Sequence, residues 1–453
     1  MSAAQPASQL KAVSSLALLY MFRMMGLFMV FPVMSLYGGH YIDSTEQRLG
    51  LAIGAYGLSQ AICQMPLGLL SDLYGRKTII FIGLVIMIIG SLVAAFSDSV
   101  WGLIIGRALQ GIGAVGSTIM ALVGDLTTEQ NRTKAMAVIG ASIGVSFVIA
   151  MVLGSTLASF WGLSSIFWVT AGLSVLGCYI LFRQVPNPPP TVRGKDAIPV
   201  PAMIGQSLRN GELARLNLGI FALHFILSAL FVALPLAMQD AGIAATDHWQ
   251  FYGPILALAF IAMMPFMHLA ERKRKVKPVL LAAIAGLAAG LVMLHQAGTT
   301  WMGWAGGLFV FFMCFCLLEA TLPSLLSKQA PAGAKGTAMG LFSTCQFLGI
   351  SAGGTLGGYW VQHHSTLAVF YSTAVLASLW FTLALFMKKP VYLTSLSVAL
   401  QQEPPVEPLK EHIAGVHEAV WVKEQGLLHL KVKDDEFDRQ QLDHYLATLA
   451  ASQ

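Results

Sequence analysis

Four ionisable residues stand inside long apolar runs of this 453-residue chain: Arg23, Arg107, His224 and Glu319. Ionised groups away from water are expensive, so residues kept there serve chemistry or a close pairing. A carboxyl in that setting has a raised pKa and can cycle between charged and neutral forms, which makes Glu319 the candidate proton carrier. A permanent ion pair between helices is the other reading of Glu319. His224 titrates nearest neutral pH and could relay or share the proton, or be a hydrogen-bonded core histidine. Arg107 stays charged, so it can bind an anionic group or answer to a nearby acid but cannot carry the proton. Arg23 lies about nine residues into its run and either faces the interior or snorkels to the surface. Gln60, Gln64 and Gln110 could line the same interior as hydrogen-bond partners, or pack helices.

The elements that must position these residues follow from composition. Apolar residues make up 56% of the chain and charged ones 11%, against roughly 25% charged in a soluble domain. An ordinary soluble enzyme is excluded. Apolar runs of about 20 residues recur, enough to cross a ~30 Å hydrocarbon layer as helix. The short alternating segments of a membrane β-barrel do not occur. The fold class is therefore an all-α membrane protein of twelve helices, expected near 14–38, 49–70, 78–96, 100–123, 135–160, 164–182, 216–238, 250–269, 278–296, 302–326, 337–361 and 366–387. A proline-rich break at 183–215 divides a bundle over 1–182 from one over 216–389, and a polar tail follows over 390–453. The first helix is expected to be retained, because no basic residue precedes Lys11 and the run is too long for a signal peptide.

With the N-terminus inside, the inner flanks hold nineteen Lys and Arg residues and the outer loops only Arg48. That bias places both termini in the cytoplasm. The net charge of +5 then reflects topology and not nucleic-acid binding. Cys63, Cys178, Cys314, Cys316 and Cys345 all fall within helices and read as small core residues. No cofactor or metal site is expected.

The two bundles repeat one another. Leu27 to Val33 (LFMVFPV) recurs as Leu230 to Leu236 (LFVALPL), Met65-Pro66 with Asp72 recurs as Met264-Pro265 with Glu271, Ala135-Met136 recurs as Ala338-Met339, and Leu153-Gly154 recurs as Leu356-Gly357. Parallel six-helix repeats are an architecture of secondary transporters, with the binding site between the halves near the midplane. After the second helix comes Gly68-Leu69-Leu70-Ser71-Asp72-Leu73-Tyr74-Gly75-Arg76-Lys77, a helix end, a tight turn at Gly75 and an acid set among bases. Gly68 would let another helix approach closely.

That segment resembles the signature loop of the major facilitator superfamily, and Arg107 to Gly113 (RALQGIG) resembles the superfamily's second motif. The resemblance implies that Asp72, Arg76 and Asp125 form a switch facing the 336–340 stretch and locking the outward-open state. Glu319 to Leu325 (EATLPSL), Lys335 to Gly340 (KGTAMG) and the polar tail look like the YajR type of drug:proton antiporter within it. The Gly-Pro pair frequent late in helix five of such antiporters is replaced here by Gly154-Ser155.

In the tail the sequence predicts strand 392–400, helix 407–414, strands 416–423 and 427–433, and helix 438–449, the order of a ferredoxin-like α+β domain without its last strand. Tails of this type resemble heavy-metal-associated domains, but this one has no cysteine for a soft metal, and His412, His417, His429 and His444 are scattered singly. Docking within the chain, or on a cytoplasmic partner, is its expected role. The functional expectation is a multi-pass transporter of the bacterial inner membrane, not an enzyme. Its partners would be protons, the lipid bilayer and a small amphipathic substrate exported in exchange for protons. Symport or facilitated movement of an anionic metabolite, and a transporter-derived sensor signalling through the tail, are the alternatives.

Overall fold

The computed structural model describes residues 6–113, 115–187, 205, 210–331, 335–388, 394–400, 404–405, 409, 412–422, 426–433 and 436–451. Most of the expected linker, and half of the tail helix expected over 407–414, lie outside these residues. The first half of the membrane body comprises α1 (Pro6–Phe28), α2 (Met34–Tyr37), α3 (Glu46–Tyr74), α4 (Arg76–Phe96), α5 (Val100–Ile112), α6 (Gly116–Leu126), α7 (Glu129–Trp161) and α8 (Ser164–Arg183). The second comprises α9 (Gly211–Asp240), α10 (His248–Glu271), α11 (Val276–His295), α12 (Trp301–Gln329), α13 (Lys335–His363) and α14 (Thr366–Leu385).

Among the described residues ten segments are long and apolar enough to cross a membrane, α5 and α6 counting as one. The other two expected crossings, α3 and α13, are 29 residues each. Their hydropathy is lower because glycine fills the faces they press together.

Two expected helices are not continuous. The first, expected over 14–38, ends at Phe28 and resumes at Met34; Pro32 has no N–H to give and clashes with the carbonyl four residues back. The fourth, expected over 100–123, stops at Ile112, where Gly111 and Gly113 come close to Tyr56 on α3 and to Gly83 and Met87 on α4. In the second half Pro235 and Pro265 are accommodated within unbroken helices.

Packing repeats between the halves as the sequence does. A methyl group on Gly154 would lie 3.0 Å from Met29 Cα, and one on its counterpart Gly357 would lie 2.9 Å from Ala229 Cα. Gly90 likewise meets Gly106 between α4 and α5, as Gly290 meets Gly307 between α11 and α12. Glycine lets each helix pair approach backbone to backbone.

The halves are joined mainly at the face opposite the basic loops. There Gly50 of α3 meets Gly354 and Gly358 of α13, Gly54 meets the Ser351 carbonyl, and Gly57 meets the Phe347 carbonyl. The Gln47 amide donates to Gln362 Oε1 at 3.1 Å. Below this joint Phe31 stacks on Phe231 at 5.7 Å, and Phe147 and Phe312 close the same cluster from both halves. Toward the basic face contact thins: a methyl on Gly68 would touch only Ser117 Oγ, at 3.7 Å, so the helix approach expected there is absent from this conformation.

In the tail, β1 (Thr394–Ala399), β2 (Val416–Val422) and β3 (Leu427–Val432) form an antiparallel sheet ordered β1-β3-β2, packed against α15 (Arg439–Ala451). Leu428, Leu430 and Val432 point to the tail's own core with Leu442. His429 and Lys431, on the opposite face of β3, are also buried, and Lys431 Nζ donates to the Lys328 carbonyl at the end of α12, at 2.8 Å. The burial holds the Lys431 ammonium below the usual lysine range, with Glu418 opposing and Lys335 adding to the effect.

Candidate functional site

The ionisable residues singled out within the spans fall into two unlike sets. In the second half, α9, α12 and α13 bring three polar side chains to one point. His224 Nε2 lies 3.5 Å from Glu319 Oε2 and 2.8 Å from Gln346 Nε2. Gln346 Nε2 also donates to Glu319 Oε1 at 3.3 Å, and His224 Nδ1 faces the Ile220 carbonyl at 3.2 Å. These residues stand about ten to thirteen positions from the basic-face ends of their helices, roughly 15–20 Å deep. The His224 ring is buried, whereas the Glu319 side chain keeps 30% exposure. The carboxyl is therefore reachable for proton exchange, though its Oε2 is buried without a hydrogen-bond partner. Glu319 and His224 thus meet, as their depths in the sequence allow. Gln346 was not singled out there; an uncharged amide on a glycine-rich helix carries no signal, and only its position one helical turn from Phe342 and Gly349 on the joint-forming α13 points to it.

Among the described residues, Arg23 and Arg107 of the first half have no acidic partner. Arg107 is fully buried on α5, its guanidinium 4.6 Å from the Tyr56 ring centre. It donates to Gln110 Oε1 at 2.8 Å and to the Gly26 carbonyl at 3.4 Å. Gln110 in turn donates to Ser91 Oγ at 2.8 Å, so both belong to a network inside the first bundle. Arg23 on α1 is 2% exposed, and so does not snorkel. It lies between the Tyr20 and Phe347 rings, at 5.5 and 6.0 Å, and Phe347 belongs to the other half. Arg23 Nε and Nη2 have no hydrogen-bond partner, nor do Gln60 Nε2 and Oε1 or Gln64 Oε1. Unmade bonds of this kind cost about 1–3 kcal/mol each unless water or a ligand fills them.

At the basic face the signature segment is assembled. Gly75 caps α3 at φ +95°, a backbone state that L side chains avoid, and turns the chain directly into α4. That turn aims Arg76 back at the first bundle. Arg76 pairs with Asp72, donates from Nε to Asp125 Oδ2 at 3.1 Å, and donates from Nη1 to Ser71 Oγ at 2.6 Å. Asp72, Arg76 and Asp125 thus come together, with Gly68 one turn before Asp72. The repeat places another ion pair in the second half: Glu271 accepts from Lys328 Nζ at 2.5 Å and from Ser324 Oγ at 2.8 Å. Among the described residues no group of three or more His, Cys, Asp or Glu is arranged to hold a metal ion.

This arrangement agrees with what the chain is similar to. The Major Facilitator Superfamily model matches residues 16–354. The inner membrane transport protein YajR of Escherichia coli is 42% identical over 426 residues, covering 93% of this chain and 94% of that protein. The multidrug resistance protein MdtH of Aeromonas hydrophila is 27% identical, covering 74% and 82%. The crystal structure of the human organic anion transporter MFSD10 superposes with a TM-score of 0.63 at 19% identity, over 83% of this chain and 99% of that one, which shows the shared fold. The chain belongs to the Major Facilitator Superfamily and is a multi-pass secondary transporter, not an enzyme.

Proposed function

We propose that the protein couples proton movement to the efflux of a small amphipathic compound, with Glu319 as the proton carrier and His224 as its partner. The observation that carries this is the Glu319–His224–Gln346 cluster. It holds the one carboxyl at mid-depth in the spans among the described residues, reachable yet with a buried unpartnered oxygen, beneath the aromatic closure of Phe31, Phe147, Phe231 and Phe312. Arg23, Gln60 and Gln64 face the pathway from the opposing half, backed by the Arg107–Gln110 network, and all of these but Gln110 have unsatisfied polar atoms. The likeness to the multidrug resistance protein MdtH supports a drug-like cargo, and that to the inner membrane transport protein YajR supports the inner membrane. The nineteen-to-one bias of basic residues supports cytoplasmic termini. Asp72, Arg76 and Asp125, with Gly68 and Gly75, form the cytoplasmic switch. Asp72→Asn biases the equilibrium away from the outward-open form, and unchanged accessibility of both faces would refute that role.

A second reading, movement of an anionic metabolite, is favoured by one observation: the two free nitrogens of Arg23 at the joint between halves. Proteoliposomes with an imposed pH gradient separate the readings, using a panel of amphipathic cations and carboxylates. Gradient-driven movement of the former that Glu319→Gln abolishes supports efflux. Movement of carboxylates alone supports the second reading, and normal coupling in Glu319→Gln removes the carrier from both.

A further inference from the structure

The cluster contains more information than the identity of its acid, because its hydrogen bonds fix which atoms carry protons. The Ile220 carbonyl can only accept, so the ring nitrogen facing it, Nδ1 of His224, must bear hydrogen. In the neutral ring Nε2 is then a lone pair. The Gln346 atom 2.8 Å from that lone pair must be the donor, its NH2 group, and the second hydrogen of the same group reaches Glu319 Oε1. The orientation of the amide is thus set by the backbone of α9 and not by convention.

We infer that Gln346 is a positioning residue that holds His224 as a neutral hydrogen-bond acceptor and directs the coupled proton to Glu319 Oε2. This rests on the reading of Glu319 as carrier and says how the carrier is selected over its neighbour. A proton on His224 Nε2 would set N–H against the Gln346 N–H at 2.8 Å. Turning the amide to relieve this would set Gln346 Oε1 against Glu319 Oε1, acceptor against acceptor. A proton on Glu319 Oε2 disturbs neither bond, because no donor occupies that oxygen. The step is simple: hydronium gives its proton to the carboxylate, an O–H bond forms at Oε2, and water leaves. The groups around the ring leave no competing site. From α12 come Glu319, Cys316 beside it, and the Phe315 ring at 5.9 Å; from α13 comes Gln346; from α9 itself comes the Ile220 carbonyl. Among the described residues no charged side chain but Glu319 lies within 4 Å of His224.

Gln346 also stands next to Phe347, whose ring faces Arg23 and whose carbonyl meets Gly57 of α3. The loss of charge on Glu319, which weakens its pull on the amide without breaking either bond, is therefore felt one residue away, where the halves join.

The test is nitrogen-15 NMR of histidine-labelled full-length protein in lipid, with the His224 signal assigned by its loss in His224→Gln, alongside proton uptake. In the wild type His224 stays in one neutral form, protonated at Nδ1, between about pH 5 and 8, while uptake of one proton is lost in Glu319→Gln. In Gln346→Leu the Nε2 atom loses its donor and His224 titrates in that range. In Gln346→Glu, a near-isosteric change that keeps the site filled if the leucine variant fails to fold, an acceptor faces Nε2 and His224 becomes charged. A wild-type His224 protonated at Nε2, or charging before Glu319 does, overturns the inference, as do variants whose His224 behaves as in the wild type. Retained proton uptake in Glu319→Gln sinks the carrier reading itself, a failure separable from a wrong histidine form.

Discussion

The two six-helix halves share an ancestral pattern and have diverged in what they bury. The first half holds two guanidinium groups, Arg23 and Arg107, without an acidic partner, and breaks its first and fourth helices. The second holds a carboxyl and an imidazole joined by an amide, on helices that stay continuous through their prolines. Charge that cannot titrate has gone to one side and charge that can has gone to the other. A proton carrier must change its charge while the surroundings keep theirs, so this division sets the titrating half against a fixed electrostatic reference.

The joint between halves offers the largest expected change in conformation. Gly57→Leu places a side chain where the Phe347 carbonyl now sits and should open the far face by at least about tenfold in population, roughly 1.4 kcal/mol. Gly68→Ala, on the same helix toward the basic face, should leave this closed form as it is. Thiol labelling of far-face positions in single-cysteine variants checks both, and equal labelling of the two variants would break the contrast. The two buried arginines come next. Arg107→Ala empties a site built from Tyr56, Gln110 and Gly26 and should destabilise by about 3 kcal/mol. Arg23→Met removes a cation held only by two ring contacts and a weak bond to the Met24 sulfur at 3.6 Å, and should be neutral or mildly stabilising. Thermal unfolding in one detergent reports the difference, and a costly Arg23→Met would show that the guanidinium has bonds of its own.

The basic-face ion pairs differ less. Arg76 and Asp125 keep side-chain exposures of 7% and 4%, whereas Lys328 and Glu271 keep 25% and 35%. Asp125→Asn should therefore cost about 2–3 kcal/mol and Glu271→Gln under about 1; reversal of that order in the same unfolding assay would mean the second pair is the structural one. Lys431→Met, confined to the tail, removes its bond to the Lys328 carbonyl and should loosen the tail by about 1 kcal/mol without altering the membrane body. Limited proteolysis of the segment before β1 reads that loosening.

The number of crossings, the sheet and last helix of the tail, and the basic-face cluster were legible from run length, alternation and spacing. Arg76 finds Asp72 because the Gly75 turn is local, and local geometry is written in local sequence; Asp125, 49 residues on at the end of α6, was reached only through the family resemblance. Two features were less open. The break at Pro32 was signalled by the proline, yet its counterpart Pro235 leaves α9 intact, so packing and not residue type decides the outcome. The glycine joint was signalled by Gly50-x-x-x-Gly54 and by Gly354-x-x-x-Gly358, a close-packing pattern whose partner helix no single sequence names. Gln346 had no signal beyond its place on that glycine-rich helix, since an amide acquires its role from the two groups that fold onto it.

A proton carrier that drives alternating access must make its charge felt where the halves meet. Spin labels on cysteines replacing Asp43 and His364, both exposed at the far face, with the five native cysteines removed, would report that distance as pH is varied between about 5 and 8. A pH-dependent change in the wild-type background that Glu319→Gln abolishes is expected; a change of the same size and midpoint in Glu319→Gln would contradict the role of Glu319.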